Sequence, residues 1–303
     1  MASNQFAPQR QESPVLPLAA ILSLTRHHRH WLTVGLVGLV LWVATVVVTA
    51  LTQNVNLLPT VILLGSFLGP VTGVLWAIDH DPSEVLTLQR VVTAFAVGGI
   101  LGVLAASLLE SWLLPAAGPF QYLAVGLIEE LVKGLALLAI CWRLARFVTR
   151  DGFVLGAAVG FGFAAFESSG YALVSLLTPQ GFSLLGVVET EVLRGLLAPV
   201  GHGLWTAILG GAIFSAASQR GRIRVTWLVA GAYLLVSVLH TLWDSMQGIT
   251  IALLGPAGPI APYLALYWGG LALVAVAGVL VLVIAVLRSN RRRATSPDLA
   301  GSA

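Results

Sequence analysis

The sequence predicts an all-α, polytopic membrane helix bundle of about eight transmembrane helices, and three observations predict it. Hydrophobic residues make up 57% of the chain and charged residues only 10%, against about 25% charged in soluble domains. Eight apolar runs follow one another, each long enough to cross a hydrocarbon core that needs roughly 20 residues. Arginines fall in every second connection, as in a chain that threads a bilayer repeatedly.

The elements follow in order. Residues 1–30 read as a disordered or interfacial tail: Gln5, Pro8, Gln9, Gln11 and Pro14 bury nothing, and such composition does not build a core. The apolar stretch Val15–Leu24 is too short to span and fits an interfacial segment. A cleaved signal peptide is not expected, because the first long apolar run starts late, after a basic cluster. The integral membrane domain covers residues 31–287, with spans near 31–51, 57–78, 91–110, 121–142, 153–177, 187–217, 225–247 and 263–287. The sixth is interrupted by Pro199-Val200-Gly201, which predicts a kink or a short interfacial piece. Residues 288–303 read as a basic disordered tail. Near-continuous spans leave no room for a separate soluble domain.

Arg10, Arg26 and Arg29 precede the first span. Arg90, the Arg143/Arg146/Arg150 group, the Arg220/Arg222/Arg224 group and Arg288/Arg291/Arg292/Arg293 occupy alternate connections. The segments Thr52–Asn56, Ser111–Phe120, Thr178–Leu185 and Gly248–Pro262 contain neither Lys nor Arg. The positive-inside rule then puts both termini in the cytoplasm and the chain in the cytoplasmic membrane. The net charge of +3 reflects this asymmetry and gives no argument for nucleic acid. The single cysteine, Cys141, excludes an intramolecular disulfide and a cysteine-based metal site. Trp31, Trp76, Trp112, Trp142 and Trp227 lie near span ends and read as interfacial anchors. No internal repeat is visible.

Against this apolar background a few ionisable residues stand out. The only lysine, Lys133, sits in Leu127-Ile128-Glu129-Glu130-Leu131-Val132-Lys133-Gly134. Glu167 lies in the fifth span, His202 in the sixth, His240 and Asp244 in the seventh. Counted along the helices, Glu129, Glu167, His202 and His240 all lie roughly 21–24 Å from the nearest arginine-bearing end, at 1.5 Å per residue. Four helices thus carry a polar group to one depth, in the half of the membrane nearer the arginine-free loops. Charges in hydrocarbon are costly, so such a cluster marks a functional site by default. Spacing pairs Glu129 with Lys133, His240 with Asp244, and His202 with Thr206 at i, i+4, and Glu130 with Lys133 at i, i+3. Gly156-x-x-x-Gly160 and Gly210-Gly211 allow close helix approach.

Blander roles stand beside each of these. A single intramembrane His can serve as a hydrogen-bonding strut between helices. Glu130 with Lys133 can act purely as a buried ion pair that locks packing, and His240 with Asp244 as a packing pair. Arg194, beside Glu189 and Glu191, reads as part of an interfacial salt bridge. Trp205 and Trp243, three residues after each His, read as walls of a site.

Peptide hydrolysis needs an activated water, a group that stabilises the oxyanion and a proton donor for the leaving amine. A buried carboxylate can serve as general base, and imidazoles can donate to a developing oxyanion. Two histidines and a carboxylate (Glu167, His202, His240) equally match a catalytic zinc arrangement, although no His-Glu-x-x-His is present. Carboxylates and histidines also build relays in proton- or cation-coupled transporters. A catalytically silent scaffold that binds a partner helix is a third class. The missing repeat and the clustering at one depth argue against transport.

The motifs resemble those of the PrsW-type intramembrane proteases. Glu129-Glu130-Leu-Val-Lys133 is similar to their Glu-Glu-x-x-Lys, and Phe163-Ala-Ala-Phe-Glu167 to their Phe-x-x-x-Glu. His202-Gly-Leu-Trp-Thr206-Ala-x-x-Gly210 resembles the third motif and His240-Thr-Leu-Trp-Asp244 the last. The resemblance covers about residues 57–250. A more distant similarity is to the CAAX prenyl proteases and bacteriocin-immunity relatives, where a His stands in the second motif; Glu167 favours the PrsW branch. The resemblance implies cleavage of a single-span, anti-sigma-factor-like membrane protein on the extracytoplasmic side, by a mechanism described both as metal-dependent and as glutamate-dependent. On this reading Glu129 is the base for water and Glu167 assists it. His202 and His240 bind the oxyanion or donate to the amine, and Asp244 orients a His. Glu130 and Lys133 form the supporting pair, with Phe163 and Thr206 beside them. No cofactor is then required; Zn2+ is the alternative.

Overall fold

The computed structural model describes residues 29–80, 83, 86–114, 118, 120–142, 144, 146–179 and 181–294. The expected N-terminal tail, the Val15–Leu24 segment, Arg143 and the last residues lie outside these. The described chain is helical, apart from a two-residue antiparallel pairing of β1 (Leu177–Thr178) with β2 (Gly181–Phe182). The helices are α1 (His30–Thr52), α2 (Leu58–His80), α3 (Leu88–Ala96), α4 (Val103–Leu113), α5 (Gln121–Cys141), α6 (Thr149–Leu176), α7 (Leu184–Leu197), α8 (His202–Ser218), α9 (Trp227–Leu254) and α10 (Ile260–Ala294).

Among the described residues seven helical segments are long and apolar enough to cross a membrane. The eighth expected span is α5. It is 21 residues long but carries Glu129, Glu130 and Lys133 near its middle, and those charges set it apart from the other seven. Two details depart from the sequence reading. The third span is not one α-helix: α3 and α4 are joined through a π-helical stretch, Val97–Gly102. The last helix continues to Ala294, so residues 288–294, read as the start of a disordered tail, are helical. The run Leu280–Leu287 is apolar without a breaker, and the helix carries on into the arginines, which have high helix propensity.

The expected interruption at Pro199 is present. Proline lacks the N–H that an unbroken helix would need. The chain ends α7 at Leu197, passes through a short 3-10 turn at Ala198–Val200 and restarts at His202 after Gly201. His202 is therefore the first residue of α8.

At the centre lies α6, whose residues are enclosed almost continuously from Asp151 to Ala165. Its partner is α8, and their backbones touch. A Cβ on Gly156 would collide with the Thr206 carbonyl, one on Gly160 with the His202 carbonyl, and one on Gly210 with the Gly152 carbonyl. Small residues let membrane helices approach this closely. The π-helical stretch packs on the other side of α6, where Gly98 meets the Val159 backbone. A second close pair is α5 against α9: a Cβ on Gly126 would lie 2.8 Å from the Ser237 carbonyl oxygen, and the Tyr233 hydroxyl donates to the Leu127 carbonyl at 3.0 Å. These seams hold α5, α6, α8 and α9 at fixed depth relative to one another.

Candidate active site

The four helices meet around two histidines. The ring centroids of His202 and His240 are 5.0 Å apart. His202 hydrogen-bonds through Nε2 to Glu167 Oε2 at 3.0 Å. Its Nδ1 lies 2.8 Å from Lys133 Nζ. An ammonium only donates, so Nδ1 is the acceptor and the ring proton sits on Nε2, where it is donated to Glu167. His240 makes the corresponding contact with its other nitrogen: Nδ1 lies 3.0 Å from Glu130 Oε1. Each imidazole is thus fixed at its outer nitrogen by a carboxylate.

The inner nitrogens face a common space. His202 Nδ1 is 3.9 Å and His240 Nε2 3.7 Å from Glu129 Oε2, and His240 Nε2 is also 3.2 Å from Asp244 Oδ2. With Nδ1–H donated to Glu130, the Nε2 lone pair of His240 points at two carboxylate oxygens. Such an arrangement calls for a proton or a cation among these atoms.

Lys133 is completely buried and supports the cluster from below. It reaches Glu130 Oε1 at 2.7 Å, Glu129 Oε2 at 3.3 Å and the face of Phe163 at 4.3 Å. Phe163 also packs on His202. Trp205 is buried and stacks on His240, with Trp243 edge-on against Trp205. These rings keep water from the inner side. Thr206 is buried too, but against Gly156 and Gly160 of α6, so it shapes the α6–α8 contact and makes no hydrogen bond to the cluster.

Arg194 departs from the interfacial salt bridge with Glu189 and Glu191 that its sequence neighbours suggest. Instead its Nη2 pairs with Glu167 Oε2, the oxygen that also accepts from His202; its Nε donates to Ser168 Oγ at 2.7 Å, and its guanidinium lies on the Tyr171 ring at 4.4 Å. Glu191 is buried and accepts from Ser66 Oγ at 2.7 Å. The break at Pro199 explains the difference: it swings α7 so that Arg194, eight residues before His202, comes back over the site. The signal available in the sequence was Glu167 itself, a membrane carboxylate with no cation on its own helix. Glu110 of α4 was also not singled out, and it lies within electrostatic reach of Glu167, His240 and Asp244.

The sequence reading grouped Glu167 with the histidines as a possible ligand set. The structure groups Glu129 with them: one atom from each of Glu129, His202 and His240 lies within 4.8 Å of the others. Glu167 stands behind His202. The donor chemistry fits a divalent ion. Two imidazoles and a carboxylate are a known catalytic zinc set, and histidine ligands commonly donate their outer N–H to a carboxylate. The formal charge agrees. Among the described residues, the four carboxylates Glu129, Glu130, Glu167 and Asp244 are matched by two permanent cations, Lys133 and Arg194, and buried charges are ordinarily paired or bound to metal.

Accessibility defines a direction of approach. The Asp244 side chain is 29% exposed, Arg194 28% and Glu167 19%, against 8% for Glu129 and none for Glu130 and Lys133. The exposed members lie toward Leu176, Leu184 and Leu254, the helix ends whose loops lack arginine.

Arg194→Gln is expected to cut turnover about tenfold, because it loosens Glu167, the carboxylate that fixes His202 and whose own loss is worth about 10–100-fold, with Arg194→Lys recovering part of it. Unchanged kcat in Arg194→Gln would remove the residue from the site.

A family model described as PrsW family intramembrane metalloprotease matches residues 86–287, two thirds of the chain. The match takes in all four motif helices and α10, and begins after α2. No curated protein and no solved structure matches the chain.

Proposed function

The chain belongs to the PrsW family of intramembrane proteases, and from that premise we propose how this peptide hydrolase works and what it cuts. Glu129, His202 and His240 would hold a divalent metal ion, zinc being the ion that suits the donors, in place of the hydrogen bond that His202 Nδ1 accepts from Lys133. The observation that carries this reading is the convergence of one nitrogen from each imidazole on Glu129, with the other nitrogen of each given to a carboxylate. When bound, such an ion supplies Lewis acidity, polarising a carbonyl and making water a competent nucleophile near neutral pH.

The protein groups divide the remaining work. Glu167, itself held by Arg194, keeps His202 in one tautomer. Glu130, held by Lys133, does the same for His240. Asp244 is the most exposed of the cluster's carboxylates and touches the inner nitrogen of His240; it receives the proton of the attacking water and returns it to the leaving amine. Trp205, Trp243 and Phe163 close the inner side.

One observation favours a second reading. Lys133 Nζ lies 2.8 Å from His202 Nδ1 and 3.3 Å from Glu129 Oε2, so an ammonium stands among the same donors. In that reading Glu129 is the base and no ion is needed. Metal analysis separates the two. We expect about one zinc per chain in purified protein, loss of activity with a chelator, and recovery on adding zinc. Full activity in metal-depleted protein would leave only the carboxylate mechanism.

The substrate on this reading is a single-span membrane protein, cut near its extracytoplasmic end. A regular helix hides its carbonyls in internal hydrogen bonds, so the cut segment must unwind or lie at a helix end, and the exposed groups lie toward the arginine-free loops. With Cys141→Ala as background, a cysteine at Ala257 is expected to label from outside intact cells, and one at Gln219 only after permeabilisation. Product termini mapped by mass spectrometry should fall in the extracytoplasmic half of the substrate's span. Cuts in the cytoplasmic half would overturn the assignment of sides.

A further inference from the structure

Away from the histidines, at the arginine-bearing end of the bundle, a cavity of about 1430 Å³ opens between the start of α6, the end of α8, the start of α9 and the end of α10. Pockets for small molecules are roughly 300–1,000 Å³, so this one suits something larger. Its walls along the helices are largely apolar, Phe153, Ile208 and Val281 among them, and Arg146, Arg288 and Arg292 line it nearer the helix ends. Arg292 lies 3.5 Å from Ser215 Oγ on the facing wall. Among the described residues no Asp or Glu lines the cavity.

We propose that this cavity is a binding site for one anionic phospholipid, its phosphate held by Arg146, Arg288 and Arg292 and its acyl chains lying along α8, α9 and α10. Three arguments carry this occupant. Charge complementarity demands an anion, and Arg presents a fork that matches phosphate oxygens. The apolar walls run from Val281 to Arg292 and from Ile208 to Ser218, roughly 15 Å along each helix at 1.5 Å per residue, which is half of a hydrocarbon core about 30 Å thick, the reach of one leaflet's chains. The wall is also open to the membrane: Leu228 and Ile284 are both exposed apolar residues. A soluble phosphate compound has no use for the apolar depth, and an acidic peptide has little use for it. Basic pockets between membrane helices are a recognised setting for anionic lipid headgroups.

The site shares α8 and α9 with His202 and His240 but lies at the other end of them. Ser215 is thirteen residues beyond His202, roughly 20 Å by the same rise.

The test is native mass spectrometry of the full chain in detergent, incubated with equal amounts of phosphatidylglycerol and phosphatidylcholine. One phosphatidylglycerol is expected to be retained, with at least tenfold preference. The triple variant Arg146→Gln/Arg288→Gln/Arg292→Gln should lose that preference. The control Arg220→Gln/Arg222→Gln/Arg224→Gln, with arginines at the same end that do not line the cavity, should keep it. Ala285→Trp, which fills the groove and leaves the arginines in place, should lower retention of both lipids at unchanged thermal stability. Equal loss in both arginine triples would mean general attraction to a basic surface and would overturn the proposal. So would competition by inorganic phosphate at matched concentration, or full retention in Ala285→Trp.

Discussion

Glu129→Gln is expected to lower peptide hydrolysis by about 10³-fold, within the 10²–10⁴ range for loss of a general base, while the helices stay folded. The amide keeps the shape of the side chain, so the contacts of α5 with α9 are undisturbed. It loses the negative charge that faces both inner imidazole nitrogens at 3.7 and 3.9 Å. The two chemical readings part at the metal. If Glu129 is a ligand, the variant loses bound zinc along with activity. If it is the base and no ion is needed, the wild type holds no zinc to lose and only activity goes. Wild-type turnover would sink both roles. Single-turnover assays on a detergent-solubilised single-span substrate, with metal content measured on the same sample, give the answer.

Lys133→Met is expected to be the most destabilising single change in the molecule. Lys133 is fully enclosed, and its partner Glu130 has no exposed side-chain surface. Breaking a buried pair by removing one member costs about 3–5 kcal/mol, because the other charge is left without compensation. The lost contact with the Phe163 face adds to this. The expected result is a lower melting temperature in detergent and a reduced membrane yield. The double variant Glu130→Gln/Lys133→Met should recover much of that stability, since removing both charges is far less costly than removing one. It should stay inactive, because Glu130 also fixes His240. A double variant no more stable than Lys133→Met would show that the pair is not the source of the loss.

Most of the site was legible because polar residues are conspicuous in hydrocarbon. Glu129, Glu130, Lys133, Glu167, His202, His240 and Asp244 stand in apolar surroundings, and equal depth on successive spans is enough to bring them into one layer. The helix break was legible as well, since Pro199 cannot continue the helix it follows. What was not legible depends on rotation and on contacts between distant segments. Arg194 reaches Glu167 across 27 positions and a bend whose direction no local pattern encodes. Which carboxylate faces the histidines is a matter of helix azimuth: Glu129 turns inward between the rings, and Glu167 ends up behind one of them. The π-helical stretch at Val97–Gly102 has the same apolar glycine-rich composition as an ordinary span, and it is the close contact with α6 that distinguishes it. The continuation of α10 to Ala294 is not encoded by a local signal either, since a basic run fits a solvated helix end as well as a disordered tail.

The charged middle of α5 has a consequence for how the protein is made. On the insertion scale of the translocon, a charge at a helix centre costs roughly 2.5–3.5 kcal/mol, and each Leu, Ile, Val or Phe returns roughly 0.3–0.6. The helix has ten Leu, Ile and Val residues, returning roughly 3–6 kcal/mol at most, against roughly 8–10 for Glu129, Glu130 and Lys133 on the same scale. This segment therefore does not partition into lipid by itself. It enters with help, either pulled across by the helices that follow it, of which α10 is the most apolar, or held at the exit site until α9 offers His240 and α6 offers Phe163. The charged residues of α5 thus make membrane integration of this helix conditional on its neighbours, and a chain truncated after α5 should leave that helix outside the bilayer in a glycosylation-mapping assay.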